Sequence, residues 1–501
     1  MSLRIRRGEV VGLGLLMVVG LVTQIYRFNF PVSTSGPIGT WRRTQTAWGI
    51  RSMMRGSLNP FEAQVPVLGP PWKLPFEFPL YQWVAAVVGR ISGLDAVVAG
   101  RLVTALSLIV TGVLTYVLGA RLVSGAVGGV AATMVVLSPY GIHWGGDIAV
   151  EYFTVALCLA AFLAFTGWLA NGRIGILAGF LGFASLAALS KTTSLFPWIV
   201  GMALMVIGSR RTVRWSTSVR RLGVLAVPML LGLGWTRWAD AVKADNPHSA
   251  PFVTSRMWSH NFGRLADRAE MSTWQFFFRN VFDTTVGGVV VATGLIVLAM
   301  SRRNARREVS SMGAVALTGP AVFASLYWAH PYYAIAVMPA LVVVLGSGLV
   351  FGIERLFADS SIRARTAAVV ASTAGVLVLA ATTAEGVELM NATLLRNRGA
   401  IVTYDDIAEH TSADDALLVV SNAGWDPTLS FVADRRMLML FPSSDPNATR
   451  PDESELGTTY RFAYWMGDAP EPKQWKDYLP SSIRLEPLSS NLFRIVPASV
   501  G

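Results

Sequence analysis

The chain has 501 residues, of which 52% are hydrophobic and 15% charged, with a net charge of +11 and a mean hydropathy of +0.47. Water-soluble domains carry about 25% charged residues, so this composition excludes an ordinary soluble enzyme and a disordered chain alike. The charge is unevenly spread: residues 1–384 hold 32 basic and 14 acidic side chains, residues 385–501 hold 10 and 17. A basic, apolar body is thus followed by an acidic tail of domain size. The basic excess suits phospholipid and lipid phosphate, and no nucleic-acid-binding module is present in the sequence. A single cysteine, Cys158, excludes an intramolecular disulfide and a Cys-rich metal site.

In chain order, apolar segments fall near 10–26, 100–119, 122–139, 148–170, 174–190, 195–208, 222–236, 284–300, 311–328, 332–352 and 366–384. The first is long for a secretory leader and no small-residue cleavage site follows, so it reads as a span. Basic clusters flank alternate ends. Arg4, Arg6 and Arg7 precede the first segment, Arg121 follows the second and Arg173 the fourth. Arg210, Arg211, Arg214, Arg220 and Arg221 separate the sixth and seventh. Arg302, Arg303, Arg306 and Arg307 follow the eighth, and Arg355, Arg363 and Arg365 the tenth. The positive-inside rule assigns all of them to the cytoplasm. The parity closes if Phe78–Ile91 lies in the interface, since it is shorter than the roughly 20 residues a spanning helix needs and Arg90 interrupts its end.

The expectation is an α-helical polytopic protein of the cell membrane, with about 11 transmembrane helices, a cytoplasmic N-terminus and an extracytoplasmic tail. Residues 1–390 form the membrane module, with outer loops at about 28–99 and 237–283, and 391–501 form a small α/β domain. In the tail, Ala416–Ser421, Met437–Phe441 and Leu492–Val496 read as strands between turn residues, and Tyr404–His410 as a short helix. The two halves show no mirrored repeat of the kind that marks many transporters.

Ionisable groups at membrane depth are costly and mark sites or pathways. Four groups qualify: Trp41–Arg55, Glu77–Gln82, Asp147–Glu151, and Lys191–Thr193 with His330–Tyr333. The charge-derived topology puts all four at the outer interface. Each has a plainer alternative. Lys191 would snorkel from a span end, Asp147 would cap the fourth span, and Glu77 would favour a helix N-terminus. His330 with Tyr332 and Tyr333 would sit in an aromatic belt, and Arg51 and Arg55 would touch phospholipid headgroups. Asp147 and Glu151, four apart, are expected on one helical face.

Several short motifs resemble those of the protein O-mannosyltransferase and aminoarabinose-transferase group of membrane glycosyltransferases (family 39-like), which share the type C or GT-C fold. They are Trp41-Arg42-Arg43-Thr44-Gln45-Thr46-Ala47, Glu77-Phe78-Pro79-Leu80-Tyr81-Gln82, Leu189-Ser190-Lys191-Thr192 and His330-Pro331-Tyr332-Tyr333. In the tail, Gly424-Trp425-Asp426-Pro427 and Ala433-Asp434-Arg435-Arg436 are also similar. The resemblance covers roughly residues 10–384 in layout and implies transfer of a sugar from a polyprenyl-phosphate donor to a glycan, lipid or protein acceptor at the outer face. Lys191, Arg42 and Arg43 are the implied cationic contacts to the leaving phosphate, with His330, Tyr332 and Tyr333 beside them. A carboxylate serves as base, and no metal or other cofactor is required. Members of the group carry an acid soon after the first span. This chain has no Asp or Glu between Arg27 and Phe61, so the base falls among Glu151, Glu77 and Asp147. The competing readings are a non-catalytic binder of lipid-linked glycan with the same fold, and a transporter or flippase.

Overall fold

The computed structural model describes residues 7–25, 28, 40–208, 214–278, 306–358, 404–421, 426–440, 451–466 and 478–497, with five isolated positions between 366 and 388. The expected spans at 284–300 and 366–384, the Gly424-Trp425 pair and the expected boundary near 390 lie outside those residues. The chain forms two compact units, each assembled from three stretches. The first comprises 1–30, 97–235 and 258–395; the second comprises 31–96, 236–257 and 396–501. Residues 31–96 and 236–257, which the sequence groups with the membrane module, therefore pack in one unit with the tail.

Among the described residues, five helices are long and apolar enough to cross a membrane: α1 (Arg7–Ile25), α4 (Ala96–Leu122), α7 (Val150–Asn171), α8 (Ile174–Gly208) and α9 (Trp215–Ala244). A sixth span results if α5 (Gly125–Leu137) and α6 (Pro139–Gly145), bent by 51°, cross as one. The bend falls at Ser138, whose side chain accepts from Gly141 N while Pro139 occupies the first helical turn. α4 and α5 meet at glycines. A Cβ on Gly119 would stand 2.8 Å from Gly128 Cα, so only the missing side chains allow backbones this close. α7 ends at Gly172, in the left-handed region at φ 68°, and α8 turns back against it. Phe165 packs on Phe180 and Phe162 on Trp198 across that pair.

α8 resolves a question of segmentation. The sequence suggests two apolar segments, 174–190 and 195–208, and Ile174–Gly208 is likewise two helical stretches that meet across a kink, where the backbone at Lys191 is non-helical (φ −167°, ψ 90°). Unbroken, it would run about 52 Å, well beyond a hydrocarbon core of about 30 Å. Pro197, just past the break, has no N–H for the carbonyl four residues back at Thr193, which weakens the ladder there. The shorter apolar helices Val309–Val322 and Met338–Glu354 also belong to this unit.

The second unit holds two helices from the first loop, α2 (Thr40–Arg55) and α3 (Leu80–Ser92), and a five-stranded sheet. The 13 residues of α3 match the stretch read as too short to span. The strands are β1 (Ala416–Ser421), β2 (Arg436–Leu440), β3 (Tyr460–Met466), β4 (Ile483–Pro487) and β5 (Leu492–Pro497), in the order β2-β1-β3-β5-β4. β1 runs parallel to β2 and β3, and β5 antiparallel to β3 and β4. β1 is buried along its whole length, which is why it reads as a continuous apolar run. The free edge of β2 is covered by the first loop: Met437 N donates to Pro66 O and Met439 N to Val67 O, at 2.9 and 3.0 Å.

Candidate functional site

In the first unit, α7 begins at Val150, with Thr104 Oγ1 donating to the Ala149 carbonyl at 3.2 Å. This start places Glu151 in the first helical turn, where the macrodipole favours a carboxylate. Its Oε1 lies 2.6 Å from Lys191 Nζ, and the two side chains are only 2% and 8% exposed. The break in α8 sets Lys191 apart from the regular helix. Its ammonium also stands 3.8 Å from the ring centroid of Tyr333 and 5.1 Å from that of Tyr332, an arrangement that adds cation–π attraction.

Those rings belong to the 3-10 segment Pro331–Ala336, which is fixed from both sides. Tyr140 Oη donates to Pro331 O at 3.1 Å and Trp198 Nε1 to Ala336 O at 2.9 Å. His330 stacks on Tyr332 and Tyr333, with centroids 5.4 and 6.0 Å away. Trp144 meets the edge of Tyr332, and His260 that of His330. The unit thus brings the buried Lys191 ammonium, the buried Glu151 carboxylate and an aromatic wall together.

The structure brings together Glu151, Lys191, His330, Tyr332 and Tyr333 from separate motifs. Asp147 is buried in the same unit but lies ahead of α7, its Oδ1 accepting from Ile148 N at 2.9 Å. It neither shares a helical face with Glu151 nor caps the span, whose N-cap position is Ala149; the sequence expectation of a common face fails because the helix starts three residues later. Lys191 pairs inside the unit, so the snorkelling alternative does not hold.

The second unit holds the remaining candidates. Arg42 Nη2 lies 2.5 Å from Glu77 Oε1, and Gln82 Nε2 donates to the same oxygen at 3.4 Å. Arg42 also donates to Gln45 Oε1 at 3.3 Å, and Arg43 is buried. Glu77 precedes Pro79, the N-cap of α3, and is held by these side chains. Arg51 and Arg55, read from sequence as headgroup contacts, both reach Asp434 Oδ1, at 3.1 and 2.9 Å. Arg51 further donates to Phe431 O and covers the Phe431 ring at 3.8 Å. Burial by itself would raise the Asp434 carboxyl, but hydrogen bonds and charge from Arg55 and Arg51 outweigh it and hold it below the usual carboxylate range.

Sequence reasoning passed over Gln82 and Gln45 as individuals, although both lie inside quoted motifs, and it passed over Trp144, Tyr140 and Trp198, whose roles arise only from packing. Among the described residues no group of three or more His, Cys, Asp or Glu is placed to hold a metal ion.

The fold is that of the GT-C glycosyltransferases. It superposes on the crystal structure of ArnT from Cupriavidus metallidurans bound to undecaprenyl phosphate with a TM-score of 0.61, at 15% identity, over 99% of both chains. The archaeal oligosaccharyltransferase AglB from Archaeoglobus fulgidus, in complex with an inhibitory peptide and a dolichol-phosphate, gives 0.56 at 11% identity, over 92% of this chain and 69% of that one. The arabinofuranosyltransferase AftD from Mycobacteria gives 0.55 at 16% identity, over 97% of this chain and 38% of that one. No family model and no curated protein matches the sequence.

Proposed function

We propose that the protein is a glycosyltransferase that moves a sugar from a polyprenyl-phosphate sugar to a hydroxyl of a glycan, lipid or protein acceptor at the outer face of the cell membrane. The observation that carries this reading is the Lys191–Glu151 pair under the Tyr332–Tyr333 rings, a buried cation beside a buried carboxylate at a helix break. Solved structures with this fold in complex with undecaprenyl phosphate and with dolichol-phosphate support a lipid-phosphate ligand.

The chemistry balances on these groups. The acceptor oxygen attacks the anomeric carbon, the bond from that carbon to the phosphate oxygen breaks, and the electron pair stays on the phosphate. The second negative charge that develops on the departing polyprenyl phosphate is met by Lys191, whose charge-assisted bond strengthens as the charge grows. The second pKa of such a monoester is about 6, so it leaves without a proton near neutral pH. The acceptor proton goes to a carboxylate base, for which Glu151 ranks ahead of Glu77 and Asp147. Arg42 and Arg43 are assigned as further cationic contacts to substrate, and His330, Tyr332 and Tyr333 as the wall beside Lys191.

Purified protein in lipid nanodiscs, given a panel of polyprenyl-phosphate hexoses and pentoses, is expected to release polyprenyl phosphate. No release from any donor, with donor still bound, would leave the non-catalytic binder as the reading.

A further inference from the structure

Two tail motifs have no part in the chemistry above, Asp426-Pro427 and Ala433-Asp434-Arg435-Arg436. They bracket the short helix Thr428–Ala433 of the second unit. At its start, Asp426 Oδ1 accepts from Thr428 N at 2.9 Å and from Thr428 Oγ1 at 2.6 Å, a turn that orients the threonine hydroxyl. At its end, Asp434 takes the left-handed conformation, φ 54° and ψ 44°, which aspartate tolerates better than most residues. Arg435 is buried and donates to both Thr411 O and Thr411 Oγ1 at 2.9 Å. Arg435 thus anchors the helix within the tail and leaves the Asp434 carboxylate to other partners.

Those partners lie on α2. Thr428 Oγ1 stands 3.3 Å from Thr44 Oγ1, and both residues are buried. Arg51 holds Phe431 O, and Arg51 and Arg55 share Asp434 Oδ1. Thr44, Arg51 and Arg55 are spaced by seven and four residues, so they line one face of the helix. The far side meets the first loop: Arg42 and Gln45 join there, Arg42 reaches Glu77, and a Cβ on Gly49 would lie 3.2 Å from Gln82 Cγ. The two faces are centred roughly 130° apart around the helix. α2 itself contains four arginines and no carboxylate. Its counter-charges come from outside, Glu77 for Arg42 and Asp434 for Arg51 and Arg55. Arg51 and Arg55, one turn apart, would otherwise repel each other.

We infer that Thr428 and Asp434 are positioning residues for the Arg42-Arg43 motif, and that the tail holds α2 where those arginines meet substrate. The inference rests on the assignment of Arg42 and Arg43 as substrate contacts. Thr44 is two residues from Arg42, and a helix moves as a unit, so a grip on Thr44 and Arg51 is also a grip on Arg42. Holding α2 beforehand removes an ordering cost from substrate binding. The tail contributes to transfer through this grip, and each of its two motifs supplies one end of it.

The test compares Asp434→Asn, Thr428→Val and their combination with Asp415→Asn, all in the full chain in nanodiscs. Asp415 is paired with Arg461 and Ser412 inside the tail, so its amide variant weakens the tail away from α2. Two quantities are read: amide hydrogen exchange of residues 42–55, and KM and kcat for the polyprenyl-phosphate hexose or pentose that wild type turns over best. Asp434→Asn and the double variant are expected to speed exchange in α2. They should also raise donor KM roughly three- to tenfold, the worth of one or two partly exposed charge-assisted bonds, with kcat within about twofold of wild type. Asp415→Asn is expected to lower Tm and leave α2 exchange and donor KM unchanged. Wild-type exchange of α2 in the double variant would overturn the grip. Faster α2 exchange with a wild-type KM, or a KM raised as much by Asp415→Asn, would overturn the positioning role. Exchange that responds as expected in a protein whose wild type turns over no donor would instead overturn the proposed function and leave the grip standing.

Discussion

Replacing Lys191 by methionine is the perturbation with the most consequence. From sequence alone, loss of Lys191 is expected to cost turnover far more than stability. The ion pair changes that expectation, because the substitution leaves Glu151 charged, 2% exposed and without its cation. At 2.6 Å, the Coulomb attraction is roughly 6 kcal/mol for an effective dielectric of about 20. Desolvation offsets part of it, and breaking such a buried pair by removing one partner costs about 3–5 kcal/mol. Glu151→Gln should cost a similar amount. The double variant removes both charges, so it should recover most of the stability, with a coupling of about 2–3 kcal/mol or more. The assay is detergent-titrated unfolding in mixed micelles for all four proteins, with donor turnover measured on the folded fraction. Turnover should fall roughly 10- to 150-fold in Lys191→Met, the loss of about 1.5–3 kcal/mol from a charge-assisted bond in the transition state, and the double variant should stay inactive while stable. Additive single losses, or a stable Lys191→Met with wild-type turnover, would refute both the buried pair and its place in the chemistry.

Three further outcomes follow from the geometry. Among Glu151→Gln, Glu77→Gln and Asp147→Asn, the amide at the true base should lower the rate of transfer by about 10²–10⁴, and three active variants would place the base elsewhere. Asp434 has its folded pKa depressed by Arg55 and Arg51 against the effect of burial, so its contribution is present above the unfolded value near 3.9 and lost as pH falls through the lower folded value; hydrogen exchange of 428–440 should rise below about pH 4 in wild type and lose that step in Asp434→Asn. For topology, cysteines at Ser57 and Ser481 should label with an impermeant thiol reagent in intact cells and one at Ser216 should not, after replacement of Cys158; all three serines are exposed, whereas Ser218 is 0% exposed and would stay dark on either side.

What the sequence determined by itself is what local pattern and composition control. Apolar runs of spanning length predict α1, α4, α7 and α9 because each helix satisfies its own backbone in lipid. β1, β2 and β5 were readable as short β-like runs set off by turn residues, and Asp405–His410 as a short helix, since strand and turn preferences are local. β3 was passed over, although Tyr460, Phe462 and Tyr464 alternate along it, and so was β4, a partly exposed edge strand with little apolar signal. Tertiary structure alone decided which residues meet. Lys191 and Glu151 are 40 positions apart, and their pairing depends on where α7 starts and where α8 breaks. Pro66 and Val67 close the edge of β2, and Arg51 finds Asp434 383 residues away. No periodicity encodes such partners, because long-range pairing is settled by the burial of whole faces and by the need to satisfy every charge and backbone group thereby taken out of water.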